Sequence, residues 1–362
     1  MEDNRLTICS VSFNSKTCLN LNWSLTTHLN SEKGIKWLVA ENSDVTSKER
    51  ISSEDKKFTV IEGFPAEKVF SDHPEIRVSY HHALALNELL KRVETRYVLF
   101  LDPDFFILRR NWVRDVIKHM GAHNISFFGA CYSPGRHIPT RWYRYFPCVW
   151  CLFMDLKYVS KIDLDFTPEI FEAENLRRQG WKDLLISVKN QTKSSGLTLV
   201  EAWNMLKKVL PIKLGRLRGP VHRYLGLQIP EDYYRDTGYR IYSAFSKSQN
   251  HLRECLTLRW SNPLLRESSF GGKIRKTYFK YFVPENFCPY PKRTENYTSL
   301  SFNQFDLPDL FSMGWDEYFW QEKPFAFHVR PGLSGRSLFG DNYSFGFVKL
   351  EEVVARLMGK TE

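Results

Sequence analysis

The sequence predicts an α/β fold, a mixed sheet flanked by helices with helical and irregular additions. Three observations lead there. Six short runs are apolar without alternation: Leu6-Thr7-Ile8-Cys9-Ser10-Val11-Ser12-Phe13, Trp37 to Ala40, Phe58 to Ile61, Tyr97 to Leu101, Ile125 to Ala130 and Trp150 to Met154. Runs of that kind suit strands covered on both faces. Between them lie segments of helical period. Leu86, Leu89, Leu90 and Val93 recur every three or four residues within Tyr80 to Glu94, with Glu88, Lys91 and Arg92 off that stripe. A second such segment carries Trp112, Val113, Val116 and Ile117 behind Asn111, a candidate N-cap. Strand and helix therefore alternate through the first 155 residues, the pattern of a layered α/β domain.

The later chain reads differently. Residues 170–230 mix charged and apolar residues at helical spacing around the polar break Asn190 to Gly196, the pattern of an insertion or lid. Residues 255–325 are rich in proline and aromatics and show no clear period. Leu350 to Met358 closes the chain as an amphipathic helix.

Composition narrows the classes. The 362 residues are 43% hydrophobic and 15% aromatic, which excludes wholesale disorder. No apolar run approaches the ~18 residues of a spanning helix, and Met1-Glu2-Asp3-Asn4-Arg5 does not resemble a secretory leader. Seven scattered cysteines do not make a disulfide scaffold. A cytoplasmic protein is the expectation, with peripheral contact at the inner face of a membrane. Against 41 acidic residues stand 51 Lys and Arg, a formal charge of +10 that favours an anionic partner. Asn22, Asn190 and Asn296 begin glycosylation sequons, which carry no meaning in that compartment.

The sharpest feature is Leu99-Phe100-Leu101-Asp102-Pro103-Asp104. Pro103 has no backbone N–H, so the strand should stop there. Ligands of open α/β sheets bind beyond the carboxyl ends of strands. Two carboxylates side by side at such an end repel unless a cation joins them, and Mg²⁺ or Mn²⁺ suits that oxygen chemistry. The same residues also read as an ordinary solvated turn.

Taken in order, Val11-Ser12-Phe13-Asn14, then Val39-Ala40-Glu41-Asn42-Ser43-Asp44, then the helix holding Asn87, then Leu101-Asp102-Pro103-Asp104 resemble the nucleotide-sugar half of GT-A glycosyltransferases, in particular the family-2-like group. The resemblance spans residues 5–165. It implies a nucleotide-sugar half over 1–165, an acceptor-side half with a helical insertion over 166–254, and an extension over 255–362. By that resemblance Ser12, Asn14 and Asn87 lie at the nucleotide and Glu41 reaches the base or ribose. Asp102 and Asp104 form the DxD pair, Asp104 on the metal and Asp102 on the ribose or a metal-bound water. His328, in Phe325-Ala326-Phe327-His328-Val329-Arg330, corresponds to a late metal ligand, and Arg330 and Arg336 neutralise phosphate. A strand-end histidine without a ligand role is the other reading of His328. The general base is sought in Pro230 to Gly238, where Asp236 competes with Glu231 and Asp232.

The resemblance thus implies an inverting, Mn²⁺- or Mg²⁺-dependent transferase. It would take sugar from a nucleoside-diphosphate donor to a hydroxyl of an envelope glycan or lipid-linked acceptor. Two alternatives stay open: a non-catalytic nucleotide-sugar or glycan-binding module, and a metal-dependent phosphate-processing enzyme.

Other signals favour plain structure. Cys148-Val149-Trp150-Cys151 has no second pair to complete a zinc site, so buried structural cysteines are expected. His81-His82 reads as a solvated helix start. The basic-aromatic stretches Arg141 to Phe146 and Lys273 to Phe282 come with no nucleic-acid-binding motif, so nucleic acid is not an expected partner. No glycine-rich phosphate loop follows a strand, which argues against P-loop and dinucleotide enzymes.

Overall fold

The computed structural model describes residues 6–32, 34–64, 77–131, 146–159, 164–170, 234–235, 237–246, 255–261, 304–307, 315–329 and 343–359. The block 171–233, the basic-aromatic stretches apart from Phe146, Asp236, Arg330 and Arg336 lie outside them, and Glu231 and Asp232 fall within that block.

The fold is mixed α/β. Twelve strands are described: β1 (Leu6–Ser12), β2 (Ile35–Glu41), β3 (Thr59–Glu62), β4 (Tyr97–Leu101), β5 (Phe105–Ile107), β6 (Phe127–Cys131), β7 (Pro147–Asp155), β8 (Glu169–Ile170), β9 (Tyr234–Arg235), β10 (Cys255–Ser261), β11 (Asp316–Trp320) and β12 (Lys323–His328). The helices are α1 (Lys16–Leu29), α2 (Arg77–Lys91), α3 (Trp112–His123), α4 (Tyr239–Ser246) and α5 (Tyr343–Gly359). Ten strands form one sheet in the order β3-β2-β1-β4-β7-β6-β10-β11-β12-β5, while β8 and β9 pair separately. Strands β3, β2, β1 and β4 run parallel. Strand β7 is antiparallel to both its neighbours, β4 and β6.

Burial on both faces explains the unalternating runs. In β4, Tyr97, Leu99 and Leu101 join one core with Leu19 and Leu25 of α1, Trp112 and Val116 of α3, and Val353 of α5. The intervening Val98 and Phe100 join a second core with Leu86 and Leu89 of α2 and Phe245 of α4. Side chains of a strand alternate between faces, so a strand covered twice must be apolar throughout.

Two sequence expectations need correction. Residues 255–325 contain β10 and β11 despite their lack of period. Asp316 and Glu317 open β11 fully buried, and two adjacent acids mask a strand in sequence. Asn111 stands at the N-cap of α3, but its side chain makes no cap bond and its φ is 56°. The capping oxygen comes from Asn30, whose Oδ1 accepts the Val113 N–H at 3.0 Å.

The hairpin of β11 and β12 places the site. Gln321 and Glu322 form its tip, both with positive φ. Arg109 grips that tip from beside β5, donating to the carbonyls of Trp320, Lys323 and Pro324. Strand β12 then pairs with β5, with His328 opposite Phe105.

Candidate metal centre at the carboxyl end of the sheet

Strand β1 sits between β2 and β4, and the chain leaves it towards β2 on one side while β4 flanks the other. The carboxyl ends of β1 and β4 therefore border a topological switch, the usual ligand crevice of such sheets. Ser12 and Asn14 close β1 there, Glu41 closes β2, and Asp102 to Asp104 follow β4.

The turn after β4 is tightly held. The Asp102 N–H donates to the Trp150 carbonyl at 2.9 Å, and the Phe105 N–H to the Asp102 carbonyl at 3.1 Å. The Asp104 carbonyl accepts the Val329 N–H at 3.0 Å, so the end of β12 is sewn to the turn. That register brings His328 Nε2 to 3.2 Å from Asp104 Oδ1 across 224 residues of sequence. Its ring lies against Trp150 and Phe105, with centroids 5.7 and 5.6 Å away. His328 is buried, and its Nδ1 has no hydrogen-bond partner among the described residues.

Asp102, Asp104 and His328 can each present one ligand atom with all three atoms within 4.8 Å of one another. Two oxygens across an Mg²⁺ ion are about 4 Å apart, so the group has the right scale and donor chemistry for a hard divalent cation. The electrostatics agree. Burial and the neighbouring Asp104 carboxylate hold the Asp102 carboxyl above its usual range, with His328 acting the other way. A cation between the carboxylates would reverse that penalty.

His82 corrects a sequence expectation. It is not a solvated cap: its Nε2 lies 3.6 Å from Asp102 Oδ1. Burial pushes its pKa down to about 4, with Asp104 opposing, which keeps the ring neutral. Its neighbour His81 is buried, donating through Nε2 to the Phe64 carbonyl while its Nδ1 faces the Asn42 amide. The signal was present, because His82 stands one helical turn before Leu86 on the apolar stripe of α2.

The other residues expected at the nucleotide organise loops. Glu41 is 2% exposed. Its Oε1 accepts the Ser43 N–H and its Oε2 the Ile51 N–H, both at 2.7 Å. The carboxylate expected to reach a base or ribose thus closes the loop after β2. Asn14, at φ 51°, donates its N–H to Ser43 Oγ at 2.7 Å and accepts from Ser47 Oγ at 2.6 Å. Ser12 is buried, its carbonyl accepting the Asn42 N–H at 2.8 Å. Glu49 of the same loop takes the Thr17 N–H at 2.9 Å at the start of α1, where a carboxylate also favours the helix dipole. Replacing Glu41 with Gln sets an NH₂ group against one of the two backbone N–H donors. The expected loss is about 2 kcal/mol, read from the midpoint of urea unfolding.

Asn87 of α2 bonds the segment before β8. Its Nδ2 donates to Asp165 at 3.0 Å and its Oδ1 accepts the Phe166 N–H at 2.9 Å. Burial would raise the Asp165 carboxyl, but hydrogen bonds from Thr167 and Asn87 and the Arg240 charge hold it below its usual range. The strand just beyond, β8, pairs with β9, whose last residue precedes Asp236. Cys148 and Cys151 are buried, and burial raises the Cys151 thiol strongly. Among the described residues no helix is long and apolar enough to cross a membrane.

No protein-family profile matches the sequence, and no curated protein matches it significantly. Several solved structures show a faint likeness. One is S. aureus TarS 1–349, with 13% identity, TM-score 0.30, and coverage of 47% of this chain and 52% of that one. Another is the mannosyltransferase PcManGT from Pyrobaculum calidifontis, in complex with GDP-Man and Mn²⁺, with 10% identity, TM-score 0.33, and coverage of 70% and 87%. A third is the galactosyltransferase LgtC with donor and acceptor sugar analogues, with 11% identity, TM-score 0.30, and coverage of 64% and 86%. The chain spans about half of the TarS fragment. At these scores the function has to be argued from the residues of this chain.

Proposed function

We propose that this protein is a GT-A-type glycosyltransferase that moves a sugar from a nucleoside-diphosphate donor to a hydroxyl acceptor. The observation that carries the reading is the convergence of Asp102 and Asp104 with His328 behind β4, beside the switch between β1 and β4. Asp102, Asp104 and His328 would hold Mn²⁺ or Mg²⁺, and the ion would supply positive charge against the charge that develops on the leaving diphosphate.

The chain supplies the rest. Glu41 and Asn14 fix the loop after β2 that borders the donor crevice. Trp150 walls the centre on the side of His328. Asn87 anchors the segment that leads into β8, the partner of β9, and Asp236 follows β9 in sequence. That residue, or Asp232 or Glu231, takes the proton of the acceptor hydroxyl as its oxygen attacks the anomeric carbon. The bond from that carbon to the diphosphate oxygen breaks in the same displacement, and the carbon inverts. Arg330 neutralises phosphate oxygens from beyond β12. An envelope glycan or lipid-linked intermediate is the acceptor class, met at the inner face of a membrane by a cytoplasmic protein.

The test is product analysis. The protein is incubated with UDP- and GDP-sugars and a panel of glycan and lipid-linked acceptors, with Mn²⁺ or with EDTA. Release of nucleoside diphosphate in step with acceptor glycosylation, only with metal, is the expected result. Release of nucleoside monophosphate makes the protein a phosphate-processing enzyme instead. Donor binding without turnover over the whole panel makes it a binding module.

A further inference from the structure

The turn that carries the two carboxylates creates a backbone problem that its own strand does not solve. Pro103 offers no N–H, and the chain departs from the β4 ladder after Leu101. The carbonyls on either side of Asp104, those of Pro103 and Phe105, need donors from elsewhere. Both find the same one. Asn22 Nδ2 lies 3.3 Å from the Pro103 oxygen and 2.8 Å from the Phe105 oxygen. Asn22 is 1% exposed and shares the buried face of α1 with Cys18, Leu19, Leu25 and Leu29.

An amide buried on a helix face that is apolar apart from Thr26 costs desolvation, which only its hydrogen bonds offset. A leucine at this place would suit the core. It would leave the two carbonyls flanking Asp104 without this donor and the turn held only by its bonds to Trp150 and Val329 and from Phe105 to Asp102.

We propose that Asn22 is the positioning residue of the metal centre, an amide clamp that fixes the backbone on both sides of Asp104 and so aims its carboxylate at His328 and Asp102. The inference rests on the metal reading above and assigns to α1 a task within it. The turn is then bonded by Asn22 of α1 from one face of the sheet, while His82 of α2 lies 3.6 Å from Asp102 on the other. Asn22 also opens a glycosylation sequon, but its burial shields the amide from any modifying enzyme in the folded protein.

The experiment titrates Mn²⁺ into the full chain and follows the electron paramagnetic resonance of free and bound ion, below the unfolding temperature, with near-ultraviolet circular dichroism as the check of fold. Asn22→Leu removes the clamp at similar volume. The expected result is Mn²⁺ affinity lowered about tenfold or more, with an altered bound-Mn²⁺ spectrum at saturation. Leu29→Ala is the control. It opens a cavity in the same helix two turns away, lowers the unfolding temperature, and leaves Mn²⁺ affinity within about twofold. Asn22→Ser, which keeps one donor, falls between wild type and Asn22→Leu, and it carries the same test if the leucine variant does not fold. Wild-type affinity in the Asn22 variants, or an equal loss in Leu29→Ala, overturns the clamp while leaving the metal reading intact. Wild-type protein that takes up no Mn²⁺ overturns the metal reading and the clamp with it.

Discussion

Asp104→Asn loses about a hundredfold or more of metal-dependent sugar transfer and does not unfold the protein. The substitution keeps the shape of the side chain and removes its charge. Oδ1 of residue 104 stays beside His328, and the Val329 N–H still donates to the backbone carbonyl. What disappears is one of two carboxylates facing a single point. Asp102 is then relieved, because the Asp104 charge is one of the causes that raise its carboxyl above the usual range. The metal-free variant should therefore be no less stable than the metal-free wild type, although it is far less active. Mn²⁺ should raise the unfolding temperature of the wild type by mass action and leave that of the variant unchanged. EDTA should reduce the wild type to the level of the variant. Full transfer by Asp104→Asn, or by wild type in EDTA, would remove the metal from the proposal.

How far that centre was legible in sequence differs from residue to residue. Asp102 and Asp104 could be found because an apolar strand runs into two acids and a proline, three local signals at one place. His328 carries no local mark at all. Phe325 to Val329 is buried throughout, and the histidine gains meaning only when β12 pairs with β5 and sets it opposite Phe105. That is a tertiary register, and only the family resemblance anticipated it. Asn22 and His82 show the opposite failure. Each is a polar residue on the apolar stripe of its helix, so the period alone pointed both inward. Asn22 was legible as a sequon and His82 as a helix start, and those readings hid the stripe.

The sheet divides in the same way. Strand β4 announces itself because helices cover both faces and its five positions are apolar or aromatic, and β1 is buried at all seven positions although Thr7, Ser10 and Ser12 interrupt its apolar run. Strands β10 and β11 do not, since acids that look like turn formers are buried at the start of β11. The cap of α3 was placed at the right residue but on the wrong side chain. Asn30, just past the end of α1, accepts the Val113 N–H through its Oδ1, while Asn111 Oδ1 accepts from Ser31 at 3.2 Å. Capping by a distant residue leaves no trace in the local sequence.

Asp155→Ala costs about 3 to 5 kcal/mol of folding stability, the largest loss expected of a single substitution away from the site. Asp155 ends β7 fully buried, directly across the sheet from Tyr97 at the start of β4. Arg96 meets it in a two-pronged pair, Nε to Oδ1 at 2.9 Å and Nη2 to Oδ2 at 2.8 Å, while the guanidinium lies 4.8 Å from the Tyr97 ring centroid. Oδ1 also accepts the Lys157 N–H at 3.0 Å. Alanine leaves a largely buried guanidinium and a backbone N–H without their acceptor, and charges stranded in that way are costlier than the pair was worth. Removing both partners should be milder, so Arg96→Met with Asp155→Leu should recover a large part of the loss in a double-mutant cycle. Urea unfolding with an unchanged m-value provides the measurement. Asp155 lies at the opposite end of β4 from the metal centre, about 17 Å along a five-residue strand. Transfer per folded molecule should therefore persist in Asp155→Ala at low temperature, where Asp104→Asn remains inactive. A loss of stability under about 1 kcal/mol would class the pair with exposed ion pairs and would mean that water reaches Asp155.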